Sequence, residues 1–98
     1  MDTPSFIDTV PLGIYRHYKH DPTVSDTNYT YEVVGVAQHT EEAMCMVIYR
    51  PLYPCDIRLF VRPIAMFLSR PNSRDVPRFR AVTDHDELVR LQTVMRPL

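Results

Sequence analysis

Four histidines, two cysteines and ten arginines carry most of the chemistry open to this chain. His17, His20, His39 and His85 show no metal-ligand spacing of the His-x-Glu-x-x-His kind. His17 and His20 fall on opposite faces of one strand, and His17 meets His39 only across strands. Neither a metal nor a cofactor is expected. Cys45 and Cys55 lie ten residues apart across a turn. With no Cys-x-x-Cys, the redox and zinc-ribbon readings lack support, and two free thiols are expected rather than a disulfide. Cys45 shares a strand face with Tyr49 and approaches His39. No elbow motif accompanies it, and two glycines in the whole chain leave no loop to shape an oxyanion hole. Glu41-Glu42 sits in a turn, solvated. The residues do not spell an enzyme.

Rings interleaved with arginine are the better lead. Tyr15, His17, Tyr18, Tyr31, Tyr49, Tyr53 and Phe60 are many for a small core, and Arg16, Arg50 and Arg62 lie among them. Tyrosines that pack their rings and send hydroxyls to water account for some. The others are expected to line a shallow groove that stacks on a flat ligand or clamps an anion. The candidate ligand-binding set is Arg62, Tyr49, Tyr53, His17, Arg50, Phe60, Tyr18 and His39. Arg62 is its centre, because Pro63 fixes the chain's exit and presents the guanidinium rigidly. The competing expectation pairs Arg62 inside the fold with Glu32, Glu41 or Asp56.

These side chains need strands to hold them. The stretch Met44–Pro63 reads as two strands joined by a proline-bearing turn, each ending in Arg-Pro. Met44, Met46 and Ile48 alternate with Cys45, Val47 and Tyr49; Ile57, Leu59 and Val61 alternate with Arg58, Phe60 and Arg62. The expected phase puts Ile48, Leu59 and Val61 inside and Tyr49, Phe60 and Arg62 outside. Upstream, Ile14, Arg16 and Tyr18 face one way and Tyr15, His17 and Lys19 the other. His20–Asn28 is a loop by its turn residues. Tyr29–Gln38 is the longest strand, and its rhythm breaks around Gly35, which predicts a bulge or bend.

Downstream, Ile64–Leu68 fits a single helical turn plugging one end of a barrel. Arg70–Asp75 is a polar turn, and Arg78–Val82 is the fifth strand. Thr83-Asp84-His85-Asp86 has capping-box spacing. Leu88, Leu91 and Met95 recur at helical spacing, which predicts a helix over Asp84–Met95 ended by Pro97. The fold class is therefore mostly β: a small SH3-like, five-stranded bent barrel with a short helical turn and a C-terminal α-helix. A small β+α sandwich is the alternative. The organisation is a single domain over 1–98, with an irregular leader (1–12), the barrel (13–82) and a helix (84–95) that docks on the barrel without being part of it.

Ninety-eight residues, 45% apolar and 23% charged, suit one soluble core. No apolar run approaches the roughly 18–20 residues of a membrane helix, and the N-terminus lacks a signal's basic and apolar regions. No membrane partner and a cytoplasmic location are expected. The net charge of −1 argues against bulk electrostatic binding of nucleic acid. That charge is uneven, with a net of −5 over 1–49 and +5 over 50–80.

Several blocks in order carry a resemblance. They are Gly13-Ile14-Tyr15-Arg16-His17-Tyr18-Lys19, Tyr31–Glu41, Val47–Tyr53, Val61-Arg62-Pro63 with Met66-Phe67, and Arg78-Phe79. Over roughly residues 13–80 the chain resembles the domain of unknown function 1653 family, small and mostly bacterial. The resemblance implies an SH3-type barrel and no defined activity. The chain departs from the family pattern at the His20–Asn28 loop, at Pro54-Cys55 where glycine is usual, and at Phe60 where tryptophan is usual. Three functions fit these residues: a non-enzymatic module binding a peptide, modified residue or small anionic ligand; a weak single-stranded nucleic-acid binder; or a partner-docking domain.

Overall fold

Alternation becomes sheet at Gly13–His17 (β1), Thr30–Gln38 (β2), Cys45–Pro51 (β3), Phe60–Pro63 (β4) and Phe79–Ala81 (β5). The computed structural model describes residues 10–71 and 76–97. The expectations for most of the leader and for the end of the Arg70–Asp75 turn lie outside those residues. All strand pairs are antiparallel, in the order β4-β3-β2-β1-β5. A single turn, α1 (Ile64–Phe67), follows β4, and α2 (His85–Val94) closes the chain. The protein is mostly β, as the alternation predicts. Pro51 and Pro63 end β3 and β4, since neither can donate to a further ladder bond. No helix among the described residues is long and apolar enough to cross a membrane.

The sheet curls. Five strands laid flat would put β4 and β5 about 19 Å apart. Yet the Arg62 guanidinium of β4 lies 5.5 Å from the Phe79 ring centre of β5, and Tyr49 of β3 meets the same ring at 5.6 Å. Only a strong bend brings these side chains together. Part of it is written in β2, where the β2–β3 register shifts between Val33 and Gly35, at the break in alternation.

Two clusters fill the fold. Inside the curl pack Val10, Val33, Val47 and five rings: Tyr15, Tyr31, Tyr49, Phe67 and Phe79. The Phe67 ring of α1 stacks on Phe79 at 4.1 Å and 6°, so the predicted plug is real. On the outer side of β1, Ile14, Val82 and Leu91 form the second cluster, with Leu88 and Met95 packed against it. β1 is thus buried on both faces, Tyr15 and His17 inward and Ile14 and Arg16 toward α2.

The central hairpin inverts the expected phase. Tyr49 pairs with Phe60 and Val47 with Arg62, and this face points into the core; Ile48 pairs with Val61 on the outside. Leu59 is 47% and Val61 60% exposed, and Ile48 is only half-buried. The residues group as alternation predicts, but the inward face carries aromatics and an arginine whose stem lies along Phe79. The second strand is also shorter, because Ile57–Leu59 stay outside β4. At α2 the cap is Asp84, whose carboxylate accepts from the Glu87 amide at 2.9 Å, rather than Thr83.

Candidate functional site

His17 ends β1 and inherits its place from the register: Arg16 pairs with Thr30, so His17 lies beside Tyr29 at the sheet's margin. Its ring is 4.5 Å from Tyr18, 5.4 Å from Tyr29 in a stack, and 5.0 Å edge-on from Phe79. Nδ1 accepts from the Lys19 backbone amide at 3.2 Å, which leaves the neutral ring's proton on Nε2. Cations surround the cluster. Arg62 stands over Phe79, and the Lys19 ammonium lies 5.9 Å from the Tyr18 ring centre. Burial, then the nearby Arg62, Arg78 and Lys19, lowers the His17 pKa from its ordinary 6.5 to about 4.

That depression makes stability depend on pH. The unfolded ring takes a proton as pH falls below about 6.5, whereas the folded ring refuses it until about 4. The stabilisation is therefore present above 6.5 and lost as pH falls from 6.5 to 4. Going from pH 7 to 5 should remove about 2 kcal/mol. Urea midpoints at the two pH values, with His17→Gln as control, check this. A slope of equal size in the variant would assign it to other groups.

Tyr29 is the residue that strand reasoning missed. Its φ of 50° is left-handed, a conformation that bulky side chains rarely hold, and costs about 1–3 kcal/mol. The surroundings impose it. The His17 amide donates to the Tyr29 carbonyl at 2.8 Å, and the preceding loop is cross-tied through Asn28, whose side chain bonds to Asp21 and Ser25. The one signal in the sequence was the Ser25–Asn28 turn run just before it. Across from Tyr29 stands Tyr53, whose hydroxyl meets that of Tyr31 at 3.1 Å. Burial and this hydrogen bond push the Tyr31 hydroxyl pKa up. Asn28, Tyr29 and Tyr53 line a hollow of about 350 Å³.

The predicted set divides. His17 meets both Phe79 and the Tyr29 ring, Tyr18 packs on His17, and Arg62 stands over Phe79, with Tyr53 facing Tyr29 across the hollow. Phe60 packs partly buried behind them, and Tyr49 is core, 5% exposed. Arg50 turns elsewhere, its Nε 2.7 Å from Glu32, its guanidinium also donating to the Arg96 carbonyl. His39 is remote, roughly 30 Å of strand from Thr30, where its Nδ1 accepts from the Glu41 and Glu42 amides. No meeting of His17 with His39 occurs. None of the four ion pairs among the described residues includes Arg62. Its predicted internal partner Glu32 is taken by Arg50.

A family model described as a protein of unknown function (DUF1653) matches residues 13–81. That span holds all five strands and α1, and it stops short of α2. No curated protein and no solved structure matches the chain.

Proposed function

This chain belongs to the family of proteins of unknown function (DUF1653), and we propose that it is a non-enzymatic binding module. Its ligand is a small anionic group, free or borne on a peptide or modified residue, held between Tyr29, Tyr53 and Arg62. The observation that carries the reading is Tyr29, held at positive φ and 42% exposed beside the hollow it shares with Tyr53. Strain of this kind gathers where a ligand is gripped. Arg62 and Lys19 supply positive charge at the same cluster, and flat rings beside arginine suit an aryl anion. A binding role also agrees with the histidines, three of which spend Nδ1 on backbone groups. The strand order and the helical turn between β4 and β5 support the SH3-like reading. The exposed Cys55 thiol suits a reducing cytoplasm.

A thermal-shift screen of aryl phosphates, aryl carboxylates and short oligothymidylates tests the proposal. Tyr53→Ala and Arg62→Ala should each weaken the hits at least tenfold. Arg62→Ala should cost no more than about 1 kcal/mol of stability, the scale of one cation–π contact. Hits that survive both variants place binding elsewhere. Tightest binding to oligothymidylate would favour the nucleic-acid reading.

A further inference from the structure

We propose that a second surface, the arginine-lined groove between the β3–β4 loop and the end of α2, docks an acidic segment of a partner protein. Its volume is about 540 Å³. Leu52 and Ile57 on the loop side and Val94 and Met95 on the helix side give it an apolar floor, and Arg50, Arg58 and Arg96 line it. Ile57 and Val94 are each about half exposed, so they wait uncovered. No acidic side chain is among the described residues that line it.

The three arginines have different jobs. Arg50 is a strut, tied to Glu32 and to the Arg96 carbonyl, and it holds the chain after α2 against the loop. Arg58 and Arg96 are exposed and enter none of the ion pairs among the described residues. Two exposed guanidinium groups flanking an apolar floor are complementary to carboxylates flanking an apolar side chain. The groove also needs residues beyond the family match, since Val94–Pro97 form one wall. Its ligand therefore belongs to this chain's own elaboration. Tyr53 borders both surfaces, but the docking argument uses none of His17, Tyr29 or Arg62 and stands whether or not they hold a ligand.

The probe is the fluorescein-labelled peptide (Glu-Leu)₃, titrated by anisotropy into the full chain beside (Gln-Leu)₃ and an oligothymidylate of equal charge. The expected result is binding at least tenfold tighter for the glutamate peptide than for the glutamine one. It should weaken three- to tenfold in each of Arg58→Ala and Arg96→Ala and be unchanged in Arg80→Ala, an exposed arginine that lines neither surface. Both arginines are exposed, and unchanged melting of the two variants excludes a folding effect. Cys55 lines the same groove, so bound peptide should also slow its alkylation. Equal binding of the two peptides, or indifference to both groove variants, overturns the proposal. So does tighter, groove-dependent binding of the oligothymidylate. Dimerisation lost in the groove variants would seat a second copy there, through its exposed Glu41-Glu42-Ala43-Met44 loop, and would overturn it as well.

Discussion

Replacing Phe67 by alanine should lower the unfolding free energy by about 3–5 kcal/mol, a large share of the roughly 5–15 kcal/mol that holds a small domain. α1 is one turn long and has no side-chain cap, so its own hydrogen bonds do not sustain it. What keeps it in place is the ring it delivers. Phe67 lies flat on Phe79 and takes the edges of Tyr15 and Tyr49 at 5.5 and 5.7 Å. Through Phe79 it touches the strand whose other contacts, with Tyr31 and Tyr49, demand that the sheet be curled. Alanine leaves a hollow among rigid rings that cannot collapse into it. Urea melts of the variant check the magnitude. A loss below about 1 kcal/mol would mean that α1 is peripheral and the curl is held elsewhere.

The same rings explain what the sequence could and could not disclose. Strand positions were legible because each strand alternates, and the bulge was legible because Gly35 sits where alternation fails. Phase was not, since period two fixes which residues share a face but not which face is inside. In the central hairpin both faces are apolar, Met46, Ile48 and Val61 against Val47, Tyr49 and Phe60. Aliphatics look like core and an arginine looks like surface. The decision is made by Phe79, a residue some twenty positions away, whose ring gives Arg62 an inward-facing partner. The site is similar. Ring type marks His17, Tyr18 and Tyr53 and the place before Pro63 marks Arg62, but only the curl sets His17 and Arg62 on Phe79, with Tyr18 and Tyr29 against His17. Tyr29 escaped notice because positive φ is set by the loop's cross-ties rather than by any propensity of tyrosine. His39 was drawn in by a pairing that the β1–β2 register rules out, since β1 reaches only Thr30–Val33.

Arg16→Met should destabilise by about 3–5 kcal/mol, the usual cost of breaking a buried ion pair from one side. Arg16 is 3% exposed, and its head group is shared among three parts of the chain. Nε lies 3.2 Å from Glu87 of α2, Nη1 donates to the buried Thr30 hydroxyl at 2.7 Å and to the Asp26 carbonyl, and Nη2 is 3.5 Å from the Asp26 carboxylate. Asp26 in turn takes Nε and Nη2 of Arg90, at 2.7 and 2.9 Å. That bond, with lesser help from Arg16, holds the Asp26 carboxyl below its ordinary pKa. Methionine keeps much of the stem's packing but leaves Glu87 and the Thr30 oxygen without their donor. Glu87→Gln, measured alone and with Arg16→Met, gives the pairwise coupling, expected at about 1–3 kcal/mol. The network also bears on whether α2 is an addition to a complete barrel. Leu91 is fully buried against Ile14 and Val82, and Glu87 meets a cation that β1 has already taken out of water. An uncoupled pair, with Arg16→Met costing less than about 1 kcal/mol, would show α2 merely resting on the sheet. Strong coupling would make the helix part of the unit that folds.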